Sequence, residues 1–493
     1  MQKLVNIFFL SAALSMLATG CKKMLEVTPQ SNITDQNYFT SQGDFEPYVV
    51  GIYTQMRSLA NNVTYGTERS EELIPALNSR FTTAWSQIIS PSTGALDYNA
   101  WYKAIGNCNL LLYKIKGFSF SDAPDTKARI LAETYSLRAY FFFHLTRIIG
   151  DAPLMLQAVV DDKVPLLARS PATDVIKQVN SDLDSAILLL KSMSNFSPKT
   201  YASKYRFAYG SVQALKADAN LWSAKVLGGG DAALNNAIAA INEVQSTGLS
   251  LNTDFKNVTQ PRASANPEVA LAAFYLRDET GANYGLNALP YFTAGVQGAL
   301  NLDSLPYVLT TSNGQGAYQI SPLSRGLFSA NPNDKRIPYT WVTERQASGP
   351  KISWITKYPG TKYTDDRVSD NDIIMYRLAD IYLMKAEAFA ALSAPNTDSA
   401  IAYLNKVRQR AGNGDYTGAT DKLTVEKEIL NERGRELFFE NKRWYDLVRF
   451  HKEGVINVYQ YVPNLVGKTT PLYWPLNSTV LGGNSKLNQT DGY

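Results

Sequence analysis

Residues 429–449 read ILNERGRELFFENKRWYDLVR, and the spacing within this stretch decides the fold class. Leu430, Leu437, Trp444 and Leu447 recur at helical intervals and line one apolar face. Glu432, Arg433, Arg435, Glu436, Glu440 and Arg443 sit close enough on the same turns to pair on or between helices. A catalytic carboxylate pair at Glu436 and Glu440 is the rival reading, but a four-residue step on a helix is the ordinary geometry of an ion-pair network. The pattern predicts a helix over 424–452, broken near Asn441.

Working outward, the same period recurs over 397–411, 372–392, 232–246, 204–227, 172–193, 123–149, 99–115 and 44–59. The stretch 123–149 is apolar nearly all round: Leu131, Tyr135 and Phe142 mark one face while Leu137, Phe141 and Leu145 mark another, so it must be sandwiched between other helices. Small residues fall at close-approach positions, as at Ala214, Ala217 and Ala224 or Ala379, Ala386 and Ala390, a pattern that permits stacked tetratricopeptide-like hairpins. Two stretches break the rhythm. Residues 60–97 form a loop-rich insert, and 247–371 form a longer run rich in Gly, Asn, Pro and Ser with strand-like pieces such as 269–276, too long for a plain loop in a compact domain.

The N-terminus reads as an address. Lys3 precedes an apolar run from Ile7 to Ala18, too short to span a bilayer, and Leu17-Ala18-Thr19-Gly20 leads into Cys21. Small residues ending in Gly before a Cys suit lipoprotein signal peptidase, so 1–20 are expected to be a signal peptide, Cys21 the lipidation site, and 21–40 a polar tether. With Cys21 acylated, Cys108 has no disulfide partner and is expected to be a buried, inert thiol.

Composition and motif searches exclude several classes. The chain has 493 residues, 48 basic against 44 acidic, and a net charge of +4 with no basic block, so it lacks the footprint of a nucleic-acid binder and suits a neutral ligand better than a polyanion. His144 and His451 are its only histidines, which rules out His-rich zinc sites, and no HExxH, GxSxG or phosphate-loop pattern occurs. No cofactor is indicated. Asp365, Asp366, Asp370 and Asp372 cluster, but they match no EF-hand, and a solvated acidic turn explains them better than calcium does.

Six blocks, in order, resemble a known family. They are 21–29 (CKKMLEVTP), 135–140 (YSLRAY) with 150–154 (GDAPL), 372–388 (DIIMYRLADIYLMKAEA), 404–412 (LNKVRQRAG), the opening block 429–449, and a tail, 473–493, with Pro475 and the ending QTDGY. Together they resemble the SusD/RagB family. The resemblance implies a mostly α protein: a tetratricopeptide-like helical scaffold spanning 41–246 and 372–493, decorated by an irregular, ligand-binding subdomain over 247–371. It also implies a non-catalytic outer-membrane lipoprotein, facing the cell exterior, that captures glycan and delivers it to a TonB-dependent, SusC-like transporter. One departure is that Lys22 and Lys23 follow the anchor where surface-exported relatives often carry acidic residues. An oligopeptide ligand, as in the RagB-like branch, is the alternative; a surface glycosidase needs only two carboxylates and stands behind it.

A sugar offers an apolar C–H face and a rim of hydroxyls, so its site needs flat aromatics beside amide, carboxylate or guanidinium groups. The loop aromatics Trp85, Tyr291, Tyr339 and Trp341 are the expected platforms, with Asn78, Arg80 and Asp334 as hydrogen-bonding partners.

Overall fold

Pro124, whose missing N–H is not needed in a first helical turn, and Gly150, at φ 77°, mark the two ends of the longest helix among the described residues. The computed structural model describes residues 38–76, 82–160, 166–199, 203–259, 266–288, 318–345, 351–365 and 367–493. The expected signal peptide and Cys21 lie outside them, as do Asn78, Arg80 and Tyr291.

The helices are α1 (Phe45–Ala60), α2 (Asn99–Lys114), α3 (Pro124–Ile149), α4 (Ala172–Lys191), α5 (Tyr209–Val226), α6 (Gly230–Gln245), α7 (Leu378–Ala391), α8 (Thr397–Arg410), α9 (Lys422–Glu436) and α10 (Arg443–Lys452), with shorter turns between. Neighbours in sequence pack as hairpins: α1 on α2, α3 on α4, α5 on α6 and α7 on α8, while α4 on α5 and α6 on α7 join one pair to the next. This is the tetratricopeptide-like stack, mostly α, that the sequence implies. Helix α3 is enclosed as its pattern requires, with Phe141, Phe142 and Phe143 fully buried; each ring contributes roughly 2–3 kcal/mol through lost apolar surface.

Four two-stranded antiparallel pairs decorate the helices: β1 (Leu73–Pro75) with β3 (Tyr318–Ile320), β2 (Val269–Ala273) with β8 (Ile373–Arg377), β4 (Trp341–Arg345) with β5 (Lys351–Ile355), and β6 (Thr361–Lys362) with β7 (Arg367–Val368). Strand β8 corrects one expectation. Residues 373–377 are not the first turns of a helix; Ile373, Ile374, Met375 and Tyr376 are buried on both faces against β2, and such a run carries no period that separates strand from buried helix. Likewise α5 begins at Tyr209, not at 204, because Lys204 gives its carbonyl to Ala272 and Phe207 donates its N–H to the Tyr53 hydroxyl. The expected break near Asn441 is present: Phe439 and Asn441 both adopt φ 59°, between α9 and α10.

A buried ion network binds the decorating segment to the last helices. Glu436 accepts from Arg336 Nη1 (3.0 Å), Arg377 Nη1 (2.5 Å) and Arg410. Glu440 takes Arg377 (2.7 Å) and Lys357 (2.9 Å), Glu432 takes Arg336 (2.7 Å), and Glu268 on the approach to β2 takes Arg377 (2.7 Å). Burial alone raises the Glu436 carboxyl, but the guanidinium groups of Arg410, Arg377 and Arg336 outweigh it and hold it well below the carboxylate range; Glu440 is held down in the same way by Arg377 and Lys357. Both carboxylates are therefore favoured in the charged form and fully enclosed, which makes them framework and removes the catalytic-pair reading of their spacing.

Candidate functional site

The insert and the irregular segment meet at β1 and β3, where Leu73 pairs with Ile320 and Pro75 with Tyr318. Thr82 starts the next turn. Its hydroxyl accepts from Trp85 N (3.0 Å) and donates to Glu68 (2.9 Å), and Glu68 also takes the Tyr318 hydroxyl from β3. The Trp85 indole N–H donates to the Leu73 carbonyl on β1 (2.8 Å), and Asn464 donates to the Trp85 carbonyl (2.9 Å). Trp85 is thus held at both ends while its side chain stays partly exposed. Two residues further on, Gln87 accepts from the fully buried Arg69 (2.9 Å), which also bonds the Leu472 carbonyl (2.9 Å) and lies 4.3 Å from the Trp444 ring centre. The turn carrying Trp85 is therefore anchored to the C-terminal tail.

Strand β3 lies along β5, and β5 pairs with β4 in a register that sets Trp341 opposite Ile355 and Thr343 opposite Ser353. Trp341 is half-buried, its ring edge-on to Phe328 at 5.0 Å. The turn carrying Trp85 is bonded to the β1–β3 pair and Trp341 lies on β4 of the separate β4–β5 pair, and the two pairs touch where β3 packs on β5, although 256 positions of sequence order separate the two tryptophans, counting from 85 to 341.

The other expected partners go elsewhere. Asp334 is only 2% exposed and is used up: one oxygen accepts Arg336 N and Nε (both 2.9 Å), the other Arg336 Nη2 (2.7 Å) and Asn413 (2.8 Å). It is a member of the ion network and has no capacity left for a ligand hydroxyl, which corrects its place among the hydrogen-bonding partners. Tyr339 packs against a small separate core of Phe255, Val258, Val269, Ala272 and Ile374, unlike Trp341, which rests on the main core. Sequence reading missed Arg325, in the short helical turn Pro322–Gly326, whose Nη2 donates to Ser353 on β5 (2.5 Å). A signal was available: no Asp or Glu occurs from Ser304 to Asn333.

The remaining titratable candidates are structural. His144 lies between Trp101 and Tyr140, its ring 4.1 Å from the Tyr140 ring, and burial with the nearby Arg147 charge keeps it neutral. Burial pushes the Cys108 thiol up, leaving it unreactive. Asp365, Asp370 and Asp372 face separate partners, Arg277 (2.7 Å), the Tyr363 hydroxyl (2.6 Å) and the Tyr205 hydroxyl (2.7 Å), and among the described residues no three metal-ligating side chains converge. Asp366 lies outside the described residues. Among the described residues, no helix is long and apolar enough to cross a membrane.

A stack of helix hairpins thus carries two partly exposed tryptophans, Trp85 on a turn bonded to β1 and Trp341 on β4. The SusD family model matches residues 341–493, and a second model, described as starch-binding and associating with the outer membrane, matches 23–213. SusD-like protein P38 of Formosa agariphila is 26% identical, with all of both chains covered, and 30% identity to the starch-binding protein SusD of Bacteroides thetaiotaomicron extends over 132 residues, 25% of this chain. Among solved structures, a SusD superfamily protein of Bacteroides fragilis superposes with a TM-score of 0.79 at 25% identity, covering 92% of this chain and 100% of that one; NanU of the same organism gives 0.75 at 26%, covering 95% and 100%. The chain belongs to the SusD/RagB family, a family of glycan-binding proteins associated with the outer membrane.

Proposed function

We propose that this protein, tethered to the outer membrane by an acylated Cys21 and facing outward, binds an oligo- or polysaccharide and passes it uncleaved to a TonB-dependent, SusC-like transporter. The observation that carries the binding half is that Trp85, on a turn bonded to β1, and Trp341, on β4 and braced by Phe328, are both partly exposed on packed strand pairs. Aromatic faces fixed in this way stack on sugar rings with little ordering cost. Asn78, Arg80, Tyr291 and Tyr339 remain proposed contacts on sequence grounds. The buried, fully paired state of Glu432, Glu436 and Glu440 removes these three as the general acid of a hydrolase. A tethered receptor raises the glycan concentration at the transporter mouth, so modest affinity suffices.

The test is extraction of cells in mild detergent after labelling with a palmitate analogue. The proposal expects label on the protein, lost in Cys21→Ala, and co-purification with a large barrel protein. Unlabelled protein that purifies alone would contradict it, and release of reducing sugar from bound glycan would favour the glycosidase instead.

A further inference from the structure

Arginines in the interior of this protein are lavishly partnered. Arg336, Arg377, Arg433, Arg443 and Arg449 each hold at least one carboxylate, and Arg69, which holds none, is spent on carbonyls and Gln87. Arg325 breaks the pattern. It is half-buried, forms no ion pair with any described residue, and makes one side-chain hydrogen bond, to the Ser353 hydroxyl. Its Nε is enclosed without an acceptor. An unmet donor of this kind costs about 1–3 kcal/mol, more on a charged group. The guanidinium is held in place all the same, by the turn of Pro322–Gly326, which Ser321 caps by accepting Ser324 N (3.1 Å).

The surroundings of Arg325 show what would complete it. Ser353 also exchanges a hydrogen bond with Thr343 (2.8 Å), directly opposite on β4. Thr343 and Trp341, two residues apart on one strand, share a face of that strand. Phe328, one turn beyond Arg325 and bonded to its carbonyl (3.0 Å), braces the Trp341 ring edge-on. A guanidinium with no carboxylate among the described residues thus reaches from its turn to the β4–β5 pair, where two hydroxyls and the Trp341 indole lie. A guanidinium beside hydroxyls reads a carboxylate or sulfate, and an aromatic beside them reads a C–H face.

We propose that Arg325, Ser353 and Thr343 form an oxyanion subsite beside Trp341, and that the ligand is an acidic glycan bearing a uronate carboxylate or a sulfate ester. This rests on the glycan-binding reading and narrows it. It also revises the expectation of a neutral ligand: one guanidinium without a carboxylate among the described residues reads one anionic group per subsite without the basic block that a polyanion binder needs.

The experiment is an array of paired oligosaccharides on several backbones, each acidic member beside its neutralised counterpart: uronate beside methyl ester, sulfated beside desulfated. The full mature chain should bind the acidic member of at least one pair about tenfold or more tightly than its counterpart. Arg325→Gln should reduce that preference to within about twofold, with Arg325→Lys between them, and the Gln variant should melt no lower than the parent, because no ion pair is lost. Which pairs respond separates carboxylate from sulfate. Binding that depends on Trp85 and Trp341 but ignores acidity, or an acid preference untouched by Arg325→Gln, overturns the subsite and leaves the glycan reading standing. Binding to no sugar at all overturns both.

Discussion

At the scale of single residues, burial decides which charged groups serve the framework and which serve the surface. Glu426 on α9 is 1% exposed and faces Lys225 of α5 (3.6 Å), with Glu387 of α7, Glu453 beyond α10 and Lys422 of its own helix around it. Burial outweighs the attraction of Lys225 and raises its carboxyl to about 7 from an ordinary 4.5. A carboxyl raised on folding keeps a proton that the unfolded chain releases, so its contribution is present below the unfolded value and lost as pH rises through the folded one. Melting temperature should therefore carry a decline between pH 4.5 and 7 attributable to this group, and Glu426→Gln should flatten it and gain on the order of 1–2 °C above pH 7. Identical pH profiles for parent and variant would contradict this. Such a residue is invisible in sequence, where Glu426 looks like any helical acid; so is Arg325, which pairs with no carboxylate among the described residues. Trp85 and Trp341 stand out in sequence as large aromatics in polar stretches, and both are partly exposed in the structure. The role of Asp334 was not, because nothing local shows that Arg336 folds back on it with Glu432 and Glu436 behind.

At the scale of elements, long amphipathic helices announce themselves through their period, and all ten helices named here lie within stretches with that period, apart from a residue or two at some ends. Strand β8 escaped because IIMYR is short and apolar on both faces, and β1 and β3 because three-residue strands exist only through each other. What joins these pieces is electrostatic. Glu436 on α9 gathers Arg336 from the turn before β4, Arg377 from β8 and Arg410 from the end of α8. Buried networks of this sort specify an arrangement more than they stabilise it, yet removing one member strands the others. Glu436→Gln should lower unfolding free energy by about 3–5 kcal/mol in urea titration, and Glu436→Asp by less. A loss below about 1 kcal/mol would mean that the network is dispensable.

At the scale of the whole molecule, stacked hairpins supply a support and the insert supplies a tool, and the two are joined by hydrogen bonds between residues far apart in sequence, as from Arg69 to Leu472 and from Asn464 to Trp85. Family membership and helical architecture were readable from ordered sequence blocks, since those blocks are the framework. The ligand was not, since it depends on how loops from distant parts of the chain meet. The most direct test of the central claim is calorimetric titration of a glycan selected on the array into the parent protein and into a Trp85→Ala, Trp341→Ala double variant, each checked for an unchanged helical spectrum. The account predicts at least about a tenfold loss of affinity in the folded double variant; equal affinity in the two proteins would contradict it.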